Sequence, residues 1–347
     1  MTKIMCTLGN TTDSEETISR LIKAGMNAAR INTAYCSFKD YEKRINLVRS
    51  EASKLNANIP IIMDLKGPQL RIITQNPSLR YSIEKGIVFP IGFFENKNQL
   101  KREKETEIYL NYDIKKDLEE GDTILMENGT IVTRVIENNS KVYLEIINEG
   151  EGIIKNHMGA NVPGKYLNLP ALSRRDKALV DFCLRENVEC VALSFVRSEN
   201  DISELKNFIQ ERKVIYELNY NPKIMAKIEE KNGFQNLEKI IEVGKENFSV
   251  MIARGDLYNE MNYAKLAKIQ SDISKRCKEK NIELVIGTGF LESMKYERRP
   301  TRAEICDVWN ALRENPAYIM LSAETSNSKY PVLAVNTLSQ IIEEYYK

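Results

Sequence analysis

Histidine is almost missing from this chain: its 347 residues include one, His157. A catalytic triad built on imidazole, or a metal centre built from several imidazoles, is nearly excluded. The six cysteines (Cys6, Cys36, Cys183, Cys190, Cys277 and Cys306) contain no Cys-x-x-Cys pair. That spacing speaks against a zinc site or a disulfide framework and for reduced, mostly buried thiols of a cytosolic protein. A surplus of one charge is lacking too, with 50 Lys and Arg against 49 Asp and Glu. No broad basic face is implied, so neither nucleic acid nor a membrane surface is an expected partner. No apolar run approaches the length of a membrane span, and the N-terminus enters Lys3-Ile4-Met5-Cys6 with no signal-peptide pattern. A cytoplasmic location is expected. Internal repeats and low-complexity tracts are absent as well. What remains for chemistry is carboxylate, lysine, arginine, threonine and a bound metal.

What is present is alternation. Short apolar runs at residues 3–8, 28–32, 59–64, 190–195, 223–228, 248–253, 283–288 and 318–322 read as strands. Amphipathic patterns at 14–24, 38–55, 174–186, 201–210, 233–243, 263–278, 302–313 and 332–345 read as helices, several with cap-like starts such as Ser14 and Ser173. Eight βα units predict an α/β protein with a (β/α)8 TIM barrel. Between residues 72 and 165 the pattern changes to short alternating strands, for example 123–126, 130–136 and 141–147. Glu127-Asn128-Gly129 and Glu137-Asn138-Asn139-Ser140 read as hairpin turns. Gly67-Pro68 and Pro163-Gly164 mark exit and re-entry. The expectation is a barrel from residues 1–71 and 166–347, with a β-barrel-like lid domain of residues 72–165 inserted after the third barrel strand.

In such a barrel, functional side chains gather at the C-terminal ends of the strands. The second strand ends in Arg30 and Asn32, which share a direction because strand side chains repeat every second residue. The third ends in Asp64 and Lys66, and the fourth in Ser194. The fifth gives Lys227 and Glu229, again two apart. The sixth gives Asp256, the seventh Thr288, the eighth Ser322 and Glu324. Glu229 and Asp256 are hard oxygen donors suited to Mg²⁺, and a lysine beside them suits negative charge developing on a phosphoryl group or an enolate. Singly, each residue has a plain structural reading. An Asp after a strand caps a helix, Arg-Gly-Asp forms a surface turn, and Ser194 or Thr288 bonds backbone. Asn32 and Asp64 can close turns, and Lys227 can be a solvated rim residue. Their shared register at one end of successive strands favours a site for an anionic substrate chelated to a divalent metal. His157, Trp309, the cysteines and the charge run at residues 101–107 keep structural readings: loop, core, core and solvated face.

At these residues the chain resembles the pyruvate kinase family over nearly its whole length. The resemblance rests on Thr2–Gly9, Ala24–Arg30, Asp64-Leu65-Lys66-Gly67-Pro68-Gln69-Leu70-Arg71, Lys227-Ile228-Glu229 and Ala253-Arg254-Gly255-Asp256-Leu257. Leu291-Glu292-Ser293-Met294, Arg299–Glu304 and Leu321-Ser322-Ala323-Glu324-Thr325 extend it. It implies that Lys227 contacts the phosphoryl group in flight and the enolate oxygen. Glu229 and Asp256 would hold Mg²⁺ or Mn²⁺ against phosphoenolpyruvate or pyruvate, with backbone N–H groups around Ala253, Arg254, Gly255 and Asp256 gripping the carboxylate. Arg30 would clamp the phosphoryl group, and Thr288 with Ser322 behind it would lie near the enol carbon. Ser194 and Arg71 would border the substrate, Arg71 at the lid junction. Asn32, Asp64 and Leu65 correspond to a monovalent-cation site. Arg30, Tyr35, Asn10 and Lys155 would face the nucleotide.

The departures from the family pattern cluster on the nucleotide side. Ala34 removes a hydroxyl and Gln69 an acid near the monovalent cation, which weighs against a K⁺ requirement. Tyr35 stands for a histidine and Asn10 for a proline beside the nucleotide. Glu127-Asn128-Gly129 stands for Asp-Asp-Gly in the lid. Met158 takes the place of a lid cation, with Lys155 close by as a substitute. Gly289-Phe290 replaces Gln-Met beside Thr288. The likeness runs to Tyr345-Tyr346-Lys347, so the family's C-terminal domain and its effector site are expected to be missing from this chain. The expected function is Mg²⁺-dependent phosphoryl transfer between phosphoenolpyruvate and ADP or another acceptor. Two rivals are a Mg²⁺-dependent lyase or aldolase acting on a 2-oxo acid, and a non-catalytic regulatory homologue. A homodimer through a barrel face is compatible with the sequence.

Overall fold

The computed structural model describes residues 1–34, 36–78, 80–93, 107–127, 129–138, 141–150, 152–261 and 263–347. Tyr35, Asn128, Asn139, Ser140 and residues 101–106 of the charge run lie outside them. The chain begins β1 (Lys3–Leu8), α1 (Glu15–Lys23), β2 (Met26–Asn32), α2 (Phe38–Lys54) and β3 (Ile61–Asp64). It then leaves for the inserted region: β4 (Ile72–Thr74), β5 (Tyr81–Ile83), β6 (Val88–Phe93), β7 (Ile108–Leu110), β8 (Thr123–Met126), β9 (Ile131–Asn138), β10 (Val142–Ile146), β11 (Gly152–Ile154) and β12 (Ala160–Asn161). It resumes with α3 (Arg174–Arg185), β13 (Cys190–Leu193), α4 (Glu199–Ile215), β14 (Lys223–Ile228), α5 (Lys231–Gln235), α6 (Leu237–Gly244) and β15 (Phe248–Ala253). Last come α7 (Arg254–Glu260), α8 (Leu266–Glu279), β16 (Glu283–Gly287), α9 (Arg302–Leu312), β17 (Tyr318–Leu321), α10 (Ala323–Ser326) and α11 (Pro331–Tyr346).

Eight parallel strands close in the order β1-β17-β16-β15-β14-β13-β3-β2. The expected TIM barrel is the fold. Its strands separate two apolar environments by their period of two. Ile224, Ala226 and Ile228 of β14 face the helices in the large outer core. Met225 faces the barrel axis, where it joins Met5, Ala28, Ile62, Ala192, Met251, Val285 and Met320. Two residues further along five of these strands, the same inward face carries Lys227, Thr7, Arg30, Asp64 and Ser194. An apolar plug therefore lies directly beneath a polar layer.

The inserted region has its own core, with Ile72, Ile124, Met126, Val135 and Leu144 at its centre. Its sheet runs β12-β8-β9-β10-β6-β7-β4, with a separate ribbon of β11 and β5. The departing and returning chains are zipped together: Ile72 N–H donates to Met158 O at 2.8 Å, and Ala160 N–H to Leu70 O at 3.1 Å. Gly67 (φ +67°) and Gly164 (φ +75°) supply the left-handed turns at exit and re-entry. Arg197, buried and paired with Asp201, donates to Leu167 O and Leu169 O at 2.9 and 2.7 Å and so pins the re-entry segment.

Several elements differ from the sequence expectation. The pattern at 233–243 is two helices, because Asn236 turns between them and donates its Nδ2 to Arg197 O at 2.9 Å. The pattern at 263–278 opens with a 3-10 turn at Tyr263–Lys265 before α8. The stretch after β15, which reads as a turn, is the short helix α7 with Asp256 in its first turn, where the helix dipole favours an acid. The strand expected at 59–64 begins at Ile61. Trp309, expected in the core, is partly exposed and packs edge-on against Tyr345. Cys306 is exposed and Cys36 half-buried, while the other four thiols are buried. Among the described residues no helix is long and apolar enough to cross a membrane.

Helix α9 starts with a reciprocal cap: Thr301 Oγ1 accepts from Glu304 N–H, and Glu304 accepts from Thr301 N–H and from Ser293. Burial raises the Glu304 carboxyl, but the bonds from Ser293 and Thr301 outweigh it and hold it below the ordinary carboxylate range. A depressed carboxyl stabilises the fold above its unfolded-state value, and that contribution disappears as pH falls through the folded value. Glu304→Gln is therefore expected to lower the melting temperature at pH 7, and the gap to the parent should narrow towards about pH 3. Thermal melts across that range measure it.

Candidate functional site

The polar layer closes the top of the barrel plug. Lys227 donates to Ser194 Oγ at 2.6 Å and lies 3.1 Å from Asp64 Oδ1 and 2.9 Å from Glu229 Oε1. Arg30 binds Asp64 Oδ2 through Nε and Nη2, both at 2.7 Å, and donates Nη1 to Thr7 Oγ1 at 2.9 Å. Ser194 Oγ in turn donates to Leu65 O at 2.7 Å. Arg30, Asp64, Lys227 and Glu229 are 6, 2, 8 and 1 % exposed. Charges buried this deeply persist only when paired.

The pairing is uneven. Burial raises the Asp64 carboxyl, but Lys227 and Arg30 outweigh it and hold it below its ordinary range. Burial pulls Lys227 down, but Asp64 and Glu229 outweigh that and hold it charged. Glu229 is the weakly compensated member. Burial pushes it up to about 7 against the pull of Lys227, and Asp256 and Asp64 add to the rise. Its Oε2 accepts the Phe195 N–H, and its Oε1 lies against the Lys227 ammonium. Asp256 is felt electrostatically by both Lys227 and Glu229. Two cations thus face three carboxylates, and Glu229 is the one least compensated. Glu229 and Asp256 are hard oxygen donors, but among the described residues no group of three or more His, Cys, Asp or Glu is gathered as a metal site.

Around this centre the remaining expected residues fall in different places. Thr288 follows β16 in a left-handed conformation (φ +60°), and its Oγ1 accepts the Gly255 N–H at 3.0 Å. The Arg254 side chain is fully engaged. It donates to Thr288 O and Gly287 O, pairs with Asp307 at 3.0 Å and stacks 3.8 Å over the Phe290 ring. Ala253 ends β15 as the N-cap of α7. Ser322 follows β17, and its N–H is taken by the buried Glu324 carboxylate at 2.6 Å. Arg71 sits where the departing and returning chains meet, bonded to Gln69 and, at 3.0 Å, to His157 O. The oxygens of the monovalent-cation set are committed: Asn32 Oδ1 to Ala34 N–H, Asp64 to Arg30, and Leu65 O to Ser194. On the nucleotide side, Asn10 is exposed with its Oδ1 3.5 Å from buried Arg44, and Lys155 pairs with Glu127 at 3.3 Å. Tyr35 lies outside the described residues.

Four participants escaped the sequence reading. Thr7 is two residues beyond Met5 on β1, so the period that revealed Arg30 also points to it. The Phe195 N–H is a backbone donor with no residue signature. Glu230 and Glu260 meet at the lid junction, beside a cavity of about 40 Å³ that Asn161, Arg197 and Gln69 also line. Burial and the neighbouring Glu260 push Glu230 up to about 8, and burial pushes Glu260 up to about 7.

Asp64 is the shared counter-charge of Arg30 and Lys227. Asp64→Asn leaves two buried cations underpaired and is expected to cost about 3–5 kcal/mol, read as a lower urea midpoint at unchanged slope. A variant as stable as the parent would show that the two cations are compensated elsewhere.

The model of the family described as pyruvate kinase, barrel domain, matches residues 1–335. Pyruvate kinases of Staphylococcus aureus (strain MRSA252) and Staphylococcus epidermidis (strain ATCC 35984) are each 34% identical over 343 residues. That of Staphylococcus saprophyticus is 33% identical over the same length. Each alignment covers 98% of this chain and 56% of the relative, so the chain spans about half the length of the curated relatives it matches.

Proposed function

The chain belongs to the pyruvate kinase family, and from that premise we propose that it is a Mg²⁺-dependent phosphotransferase. It moves a phosphoryl group between phosphoenolpyruvate and ADP, or another acceptor in the same position, through enolpyruvate. The observation that carries this reading is Lys227, held charged between Asp64 and Glu229, while burial and the neighbouring Asp256 still push Glu229 up.

Phosphoryl transfer needs in-line positioning and charge neutralisation more than covalent help. Lys227 supplies a fixed cation for the transferring group and for the enolate oxygen left behind. Ser194 and Asp64 orient its ammonium, so little reorganisation remains when charge develops. Arg30 adds a second cation, locked by Asp64 and Thr7. A divalent ion, when bound by Glu229 and Asp256, supplies Lewis-acid stabilisation of the enolate. The Gly255 N–H and the Thr288 hydroxyl, paired in this structure, are the groups nearest in register to receive the substrate carboxylate and a proton at the enol carbon. Closure of the inserted lid over the mouth would exclude water from the transferring group.

Phosphorus NMR of the protein with Mg²⁺, phosphoenolpyruvate and a panel of nucleoside diphosphates and other acceptors tests the reading. Growth of an acceptor phosphate signal is expected, and phosphoenolpyruvate left intact with every acceptor would refute it. Lys227→Met is expected to lower kcat at least about 10²–10³-fold while the circular dichroism spectrum is retained. Turnover at the parent rate would remove Lys227 from the mechanism. Mn²⁺ at 100 times its Kd is expected to stabilise the parent by about 2.7 kcal/mol, and Glu229→Gln should abolish that gain. Thermal melts with and without Mn²⁺ read the difference.

A further inference from the structure

We propose that Glu260 is a positioning residue that ties the lid to the helix bearing Asp256, so that lid placement and metal-ligand placement are coupled. The inference rests on the functional reading above and extends it to how the site is assembled. Helix α7 is seven residues long, with Asp256 in its first turn and Glu260 one turn later at its last position. Its beginning is fastened to the barrel. Arg254 is bonded to Gly287 O and Thr288 O, and the Gly255 N–H is bonded to Thr288 Oγ1. Its end reaches across to the lid: Asn161 Nδ2, on β12, donates to Glu260 Oε1 at 2.5 Å.

Strand β12 is not a loose tether. Asn161 pairs with Leu125 and Ala160 with Met126 in the seven-stranded sheet. Ala160 N–H also bonds Leu70 O on the departing chain. A rotation of the lid about the zipped segments at residues 70–72 and 158–160 must therefore move Asn161. Because α7 is short and its first turn is pinned to the strand-seven loop, movement at Glu260 is passed to the turn that carries Asp256. Asp256 and Glu260, four apart on a helix, share one face. Glu260 is placed to act on the metal only through the helix, and Asn161 only through Glu260.

The test uses the full chain and needs no assumption about the reaction. Asn161→Ala removes the donor without touching any group assigned to metal or substrate. Backbone hydrogen exchange over residues 254–260 is expected to quicken about tenfold in this variant, the weight of one hydrogen bond to a charged acceptor. Glu260→Ala should do the same. Glu260→Gln keeps an acceptor for Asn161 and should stay close to the parent. Mn²⁺ affinity, measured by titration without substrate, should fall about fivefold in Asn161→Ala and recover in Glu260→Gln. Exchange that quickens in β12 alone, or an unchanged Mn²⁺ affinity in Asn161→Ala, would overturn the coupling. A parent protein that binds no Mn²⁺ refutes the metal reading instead, and the exchange rates over α7 then decide the coupling by themselves.

Discussion

Everything at the mouth of this barrel depends on Asp64. One buried carboxylate neutralises two buried cations, Arg30 from β2 and Lys227 from β14. With Lys227 satisfied by Asp64 and Ser194, Glu229 is left without full compensation. That imbalance separates a binding site from a closed structural ion-pair network. A closed network is charge-balanced, whereas here Asp64 and Glu229 share Lys227, and burial together with a second acid, Asp256, still raises Glu229.

The barrel explains why these residues meet. Residues 227 and 229, like 30 and 32, share a face because side chains alternate along a strand. The methionine-rich plug below them, formed by Met5, Met225, Met251 and Met320, excludes water from underneath. The polar layer is therefore one-sided, dry below and open above, which strengthens each electrostatic contact within it. The inserted region meets the barrel at the side of this mouth. Its attachments come from both partners: Arg197 of the barrel grips the re-entry carbonyls, and Asn161 of the lid grips α7.

Much of this was legible in the sequence. The eight strands stood out as apolar runs between amphipathic helices, and register alone placed Arg30, Asp64, Ser194 and Lys227 on one layer. What escaped had physical reasons. Helix α7 is hidden because an Arg-Gly-Asp run reads as a turn until the dipole and Leu257 packing favour a helix. The Arg254 side chain is engaged by Asp307, two loop carbonyls and the Phe290 ring, partners far away in sequence. The Phe195 N–H that holds Glu229 has no side-chain signature at all. Asn161 and Glu260 are ordinary polar residues whose meaning appears only when lid and barrel come together.

The central claim is that Lys227, Glu229 and Asp256 gather a divalent ion around a three-carbon keto acid and stabilise its enolate. Proton NMR of pyruvate in heavy water with the protein and Mg²⁺ addresses this without any phosphoryl donor or acceptor. The expected result is a methyl signal that decays as deuterium enters, and only when Mg²⁺ is present. A methyl signal that keeps its full intensity with protein and Mg²⁺ together would contradict the claim.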